Sequence, residues 1–271
     1  MVSIIMVTLN TPRMTQECLK SVLQNTSLPH EIIVVANSRH PAILRALRQF
    51  PKIRILQNQR NVGYTKAANR GARASSGKYL CFLNSDTLVP SRWLERLLSV
   101  LQQPGVGAVA PLSKKHGYPY DWPPKFLPIR EETVSLTDQA VERWNKNRTE
   151  EVKSLWGFCL LLTREVMWNV GFFDERFFFG CEDVDFSLRL QLHGYRLLRA
   201  NHLFIHHQLG GSVSVKRHDQ LIAKSLFLFL KKWQPFVGDP SLYWPKTLEE
   251  GTVPKIHWQT FYAAFDRHLE R

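Results

Sequence analysis

Over its first 112 residues the chain repeats one pattern, a short apolar run rich in β-branched residues followed by a stretch of helical spacing, and few folds admit that alternation. Residues 2–9 form a continuous apolar run, as expected of a strand buried on both faces. Pro12 opens a helical stretch that reaches Leu23. Further strands are predicted over residues 31–36, 53–56, 79–83 and 106–110, with helices over 40–50, 64–74 and 91–101 between them. Strands and helices alternating at this length build a mostly parallel sheet with right-handed crossovers. Ligands of such sheets bind outside the carboxyl ends of the strands.

The pattern breaks over residues 113–153, where Tyr118-Pro119-Tyr120-Asp121-Trp122-Pro123-Pro124 introduces a long excursion with one helix near 138–144. Such an excursion lines a binding site or runs as a surface loop. Regular structure resumes with a strand over 155–163, a helix over 183–193 that Gly194 ends, and strands over 195–200 and 203–206. Asp185 and Arg189 have the i,i+4 spacing of a helix-surface ion pair. From Asp219 onward the chain carries an apolar helix over 221–230 and then a Trp- and Pro-rich end.

With 271 residues, 44% of them hydrophobic, the chain can bury a large core without staples. The four cysteines are widely spread, and Cys18, Cys81 and Cys159 sit in apolar runs as small buried hydrophobes. The excess of 36 basic over 23 acidic residues suits nucleic acid, an anionic membrane surface or a phosphorylated small molecule. Because the basic residues are scattered and no nucleic-acid motif is present, nucleic acid is not the expected partner. A nicotinamide-dependent dehydrogenase would need G-x-G-x-x-G after the first strand, where this chain reads Asn10-Thr11-Pro12-Arg13. No run approaches the ~18 apolar residues of a membrane span. The expected location is the cytoplasm, with peripheral contact at the inner face of the membrane.

Three places carry chemistry. Asn84-Ser85-Asp86-Thr87 follows a strand, where a carboxylate can hold a divalent cation between two phosphates or can cap the next helix as an Asx-turn. Glu182-Asp183 emerges from Phe177-Phe178-Phe179-Gly180 into the first turn of a helix. Apolar surroundings raise a carboxyl pKa and a helix N-terminus lowers it, so the pair is poised as a base or simply complements the dipole. His206-His207 is a buried pair or a ligand, and the Gly210-Gly211-Ser212 loop after it offers backbone amides to a phosphate. Trp156, beside Gly157, stacks on a sugar ring or fills the core.

In order along the chain, residues 61–71 (Asn61 to Gly71), Leu83-Asn84-Ser85-Asp86-Thr87, residues 157–164, Val170-Gly171-Phe172-Phe173-Asp174-Glu175 and Glu182-Asp183-Val184-Asp185 resemble the signature of family 2 glycosyltransferases. The opening strand and the spacing of His207, Gly210 and Ser212 complete a match over roughly residues 2 to 212. The resemblance implies the GT-A fold, a Rossmann-like α/β domain with a mostly parallel sheet flanked by helices, followed here by a C-terminal helical tail. It implies a nucleotide-sugar-binding half over 1–112, an acceptor-binding and catalytic half over 113–215, and a helical extension over 216–271.

The implied activity is inverting transfer of a sugar from a UDP- or dTDP-sugar, dTDP-rhamnose among them, to a glycan or glycolipid hydroxyl, assisted by Mg²⁺ or Mn²⁺. Thr8, Asn10, Asn37, Asn61, Gly63, Asn69, Ser85 and Asp86 are carried over to the donor site, and Asp86 and His207 to the metal. Asp183 is carried over as the catalytic base with Glu182 beside it, and Trp156 and Gly157 fall on the acceptor side. Two departures stand out: Asn84 replaces a carboxylate that the metal motif often has, and Ala36 replaces an Asp that helps hold the nucleobase. They keep open a catalytically silent relative that only binds sugar nucleotides. Phe227, Phe229, Lys231, Lys232, Trp233 and Phe236 of the tail suit either a helix packed on the core or an anionic membrane surface.

Overall fold

A computed structural model of the chain describes residues 1–113, 131–146, 148–208, 215–239 and 257–270. The first half runs β1 (Val2–Thr8), α1 (Pro12–Asn25), β2 (His30–Ala36), α2 (Pro41–Leu47), β3 (Ile53–Gln57), α3 (Tyr64–Ala74), β4 (Tyr79–Leu83), β5 (Thr87–Leu88), α4 (Trp93–Leu101) and β6 (Val106–Leu112). Then follow α5 (Glu131–Asn145), β7 (Thr149–Glu151), β8 (Cys159–Thr163), α6 (Arg164–Val170), α7 (Glu182–Leu192), β9 (Arg196–Phe204), β10 (His206–His207), α8 (Val215–Val237) and α9 (Trp258–Leu269).

The main sheet has the order β3-β2-β1-β4-β8-β6-β9-β7. It is parallel from β3 through β4 and again between β6 and β9, and antiparallel around β8 and at the β7 edge. Between β1 and β4 the strand order reverses, so a crevice opens at their carboxyl ends, where the segments after Thr8 and after Leu83 meet.

Strand residues alternate between two cores. Ile4, Met6, Cys81 and Leu83 face a layer with Leu19 and Val22 of α1 and with Trp93, Leu94 and Leu97 of α4. Ile5, Leu80 and Phe82 face a layer with Ala68 and Ala72 of α3, Met167 of α6 and Phe186 of α7. A third cluster joins Phe177 and Leu188 to Leu226, Phe229 and Trp233 of α8 and to Phe261 and Phe265 of α9. Cys18, Cys81 and Cys159 are buried free thiols, as expected, and burial pushes the Cys18 thiol up to about 12.

Several expectations need correction. Residues 155–158 form a loop, and the strand begins only at Cys159. The two short strands expected over 195–206 are one strand, β9, plus the two-residue β10. The i,i+4 pair of Asp185 and Arg189 exists (3.0 Å) but is no surface pair, because Asp185 is fully buried. The tail supplies that burial: Trp233 Nε1 (3.0 Å) and Lys232 Nζ (2.6 Å) both reach Asp185 Oδ1.

Phe229 and Trp233 pack inward, whereas Phe227 and Leu228 are exposed. No helix among the described residues is long and apolar enough to cross a membrane. The Tyr118–Pro124 segment, the Gly210-Gly211-Ser212 loop and most of the Trp- and Pro-rich end lie outside the described residues.

Candidate active site

One side of the crevice, the side expected to take the donor, is built around Asn37, the residue after β2. Its Nδ2 donates to Asn61 Oδ1 (2.9 Å) and to the Gly63 carbonyl (3.1 Å). Its Oδ1 accepts from Asn58 Nδ2 (2.9 Å) and from the Val62 amide (3.1 Å). Two donors and two acceptances satisfy a buried amide, so Asn37 folds the 58–63 loop rather than presenting a group outward. Asn58 was not singled out in the sequence; its neighbourhood to Asn61 was the available signal.

Gly63 has φ +88, and a Cβ there would lie 2.6 Å from the Phe178 carbonyl oxygen. That space lets the Tyr64 amide donate to Phe178 O (2.8 Å) and the Thr65 hydroxyl to Phe177 O. Asn69 is fully buried, with Nδ2 on Phe173 O (2.8 Å) and on Glu175 Oε1 (3.1 Å). The loop bounding the donor side is thereby tied to the segment that leads into Glu182-Asp183. The Thr8 hydroxyl is likewise committed, turned onto the Thr15 hydroxyl at 2.7 Å. Asn10, at φ +55, stands exposed on the rim. Ala36 is fully buried, and its carbonyl receives the Asn58 amide (2.9 Å). Thr8, Asn37 and Asn69 therefore enter the site as supports.

Asp86 and His207 are brought together by a two-residue ribbon. Antiparallel pairing sets His207 opposite Thr87 and His206 opposite Leu88, and the Gln208 amide donates to the Asp86 carbonyl (2.9 Å). Asp86 Oδ1 then lies 3.1 Å from His207 Nε2, and Asn84 Nδ2 lies 3.3 Å from the same nitrogen. The Phe158 ring stacks on His207 with centroids 5.2 Å apart. Ser85, buried, precedes the carboxylate.

These residues fit a divalent cation. Neighbouring ligand atoms on an octahedral ion, each ~2.1 Å from the metal, stand about 3 Å apart, which the Asp86–His207 spacing meets. Such ions keep several waters and take further oxygens from substrate phosphates. Among the described residues no group of three or more His, Cys, Asp or Glu gathers, so waters and substrate phosphates would have to complete any such coordination.

Asp183 sits in the first turn of α7, behind Cys181 at φ +67. Its Oδ2 accepts from the Gly157 amide (2.9 Å) and its Oδ1 from the Val184 amide (2.9 Å). Gly157 permits this approach, since a Cβ there would meet Asp183 Cβ at 3.2 Å. Burial raises the Asp183 pKa and the amide hydrogen bonds lower it; burial wins, so the carboxyl ends above its ordinary value. Glu182 is pushed up to about 8 by burial and then by the charge of Asp183, and its Oε2 has no hydrogen-bond partner among the described residues.

The turn at 157–158 and the first strand residue, Cys159, link the two clusters. Gly157 holds Asp183, Phe158 supports His207, and Cys159 pairs with Leu83 just before the Asp86 turn. Beside Asp183 opens a cavity of about 470 Å³. Trp156 lines it, as do Ile222 and Leu226 of α8 and Trp258 and Tyr262 of α9. The contribution of α9 was missed in the sequence, although its Trp258 and Tyr262 have i,i+4 spacing.

A profile of the glycosyl transferase family 2 matches residues 3–171. The O-antigen biosynthesis protein RfbC of Myxococcus xanthus is 29% identical over 260 residues, covering 88% of this chain and 19% of that protein. The chain thus spans about a fifth of that relative's length. Among solved structures, the mannosyltransferase PcManGT from Pyrobaculum calidifontis, in complex with GDP-Man and Mn²⁺, aligns with TM-score 0.62 at 15% identity over 99% of this chain and 73% of that one. GalNAc-T7 with UDP, GalNAc and Mn²⁺ aligns with TM-score 0.61 at 17% identity over 86% of this chain and 48% of that one. The fold is therefore the expected GT-A fold, and the profile match over more than half its length shows that the chain belongs to glycosyltransferase family 2.

Proposed function

We propose that the chain transfers a sugar, with inversion, from a nucleoside-diphosphate donor to a hydroxyl of a glycan or glycolipid. The observation that carries this reading is the shared segment 157–159, the turn that leads into β8, which anchors Asp183 on one side and supports the Asp86–His207 pair on the other. Asp86 and His207 would hold the cation, which when bound neutralises the diphosphate leaving group. Asn61 and Gly63 shape the donor loop, and Asn10 and Ser85 border it. Asp183 Oδ2, fixed by the Gly157 amide, takes the proton of the acceptor hydroxyl while that oxygen bonds to the anomeric carbon and the diphosphate leaves. The raised pKa of Asp183 makes it a stronger proton acceptor than an exposed Asp.

UDP- and dTDP-sugars, dTDP-rhamnose among them, are the proposed donors, and RfbC points to a cell-surface glycan pathway. The complexes of the structural neighbours add GDP-mannose as a donor to test and favour Mn²⁺. On α8, exposed Phe227 and Leu228 lie on one helical face with exposed Lys224 and Lys231, a surface suited to an anionic membrane at the cytoplasmic side. A silent sugar-nucleotide binder is the second reading, favoured by Ala36 and by Asn84 in place of a carboxylate.

The test is nucleoside-diphosphate release from UDP-, dTDP- and GDP-sugars with Mn²⁺ and a panel of glycan acceptors. Asp183→Asn should lower turnover by about 10²–10⁴-fold with donor affinity retained. Wild-type turnover in that variant would remove Asp183 as the base. Donor binding without turnover under any condition would favour the silent binder.

A further inference from the structure

We propose that the cavity between α7 and the C-terminal helices binds the acceptor as an uncharged pyranoside laid against aromatic rings, so that the tail selects the acceptor. The inference rests on the transferase reading and deepens it.

Three observations carry it. The first is charge: among the described residues that line the cavity, Glu182 and Asp183 are the carboxylic acids and none is Lys, Arg or His. A phosphate or carboxylate on the reacting sugar would meet the Asp183 carboxyl with no cation among the described lining residues to pair it. The second is shape and surface. The volume of about 470 Å³ lies within the range of small-molecule sites. One wall carries Trp156, which is 48% exposed, and another carries Trp258, whose ring stacks on that of Tyr262 at 5.7 Å. Aromatic faces next to Ile222 and Leu226 offer apolar contact to the C–H face of a pyranose. The third is an unused acceptor atom. Glu182 is only 9% exposed and lines the cavity, and its Oε2 has no hydrogen-bond partner among the described residues. A sugar hydroxyl entering the cavity donates to that oxygen, removing the cost of leaving a buried polar atom unpaired.

The tail is held in register for this task. Lys232 and Trp233 of α8 bind Asp185, two residues after the base, and Ser225 Oγ donates to Phe179 O (2.8 Å). Tyr262 donates to Ser154 Oγ at 2.8 Å, closing α9 onto the loop before Trp156. A charged or lipid-linked portion of the acceptor extends outside the cavity rather than into it.

The experiment is saturation-transfer NMR and calorimetry on the whole chain with neutral methyl hexosides and methyl 6-deoxyhexosides, each compared with its matching uronide. At least one neutral glycoside is expected to bind, with its uronide at least tenfold weaker. Trp156→Ala and Trp258→Ala should each weaken the neutral glycoside at least tenfold. Trp156 is largely on the surface, so its truncation tests the site without unfolding the core. Binding of no glycoside, equal binding of the uronide, or unchanged binding in both variants would overturn the proposal. Titration of UDP, dTDP and GDP with Mn²⁺ in the same samples separates the two readings. Loss of donor binding in the wild type would sink the transferase reading, whereas intact donor binding with a failed glycoside series would sink only the account of the cavity.

Discussion

On the proposed donor side of the cleft, polar side chains are consumed by one another and by nearby backbone: the Asn37 side chain makes four hydrogen bonds, and that of Asn69 three more to Phe173 and Glu175. On the acceptor side the wall is aromatic and aliphatic, and one buried carboxyl oxygen is left unused. The proposed donor wall is drawn from residues 8–86 together with the 173–178 segment, and the proposed acceptor wall needs helices more than 30 residues beyond Asp183. A preorganised amide network suits a ligand that family members share, a nucleoside diphosphate. A wall supplied by a tail can vary without disturbing that network.

The largest expected effect comes from cutting the link between the walls. Asp185→Ala leaves Lys232 and Arg189 without their buried carboxylate and should cost about 3–5 kcal/mol in urea unfolding. An unchanged midpoint would mean that the tail is held by apolar packing alone. Next is Asn37→Ala, which frees Asn58, Asn61 and the Val62 amide. We expect a loss of about 2 kcal/mol and weaker donor binding with glycoside binding retained. Equal weakening of both ligands would contradict the separation of the walls.

A smaller effect concerns pH. Glu182 keeps its proton in the folded chain up to about 8, whereas its ordinary value is 4.5. The stability it contributes is complete below the ordinary value and is lost as pH rises through about 8, because the folded state binds more protons across that window. Thermal midpoints of Glu182→Gln should decline less than those of the wild type between pH 5 and 8; parallel curves would refute the assignment. The smallest is Asn84→Asp, which puts a carboxylate where Asn84 Nδ2 lies 3.3 Å from His207 Nε2 and should tighten Mn²⁺ binding without nucleotide by about tenfold, roughly 1.4 kcal/mol.

Strands β1, β2 and β4 were legible because their runs are largely apolar and mostly buried, and the edge strand β3 by its apolar Ile53, Ile55 and Leu56 around the exposed Arg54. Asp86 and Asp183 were legible from their places after a strand and at a helix start, but their roles came from resemblance. The ribbon that joins Asp86 to His207 has two residues per strand, too few to show any periodicity. Asp185–Arg189 had the right spacing, yet its burial depends on Lys232 and Trp233, which no local pattern connects to α7. The helix α9 follows a Pro- and Trp-rich stretch that masked its spacing.

Asp86 and His207 are proposed to form the metal-diphosphate end of the donor site. Calorimetric titration with UDP-, dTDP- and GDP-sugars, in Mn²⁺ or Mg²⁺ and then in EDTA, tests it with wild type and Asp86→Ala side by side. One nucleotide is expected to bind with metal, to lose affinity in EDTA, and to lose it equally in Asp86→Ala. Metal-dependent binding that survives Asp86→Ala unchanged would contradict it.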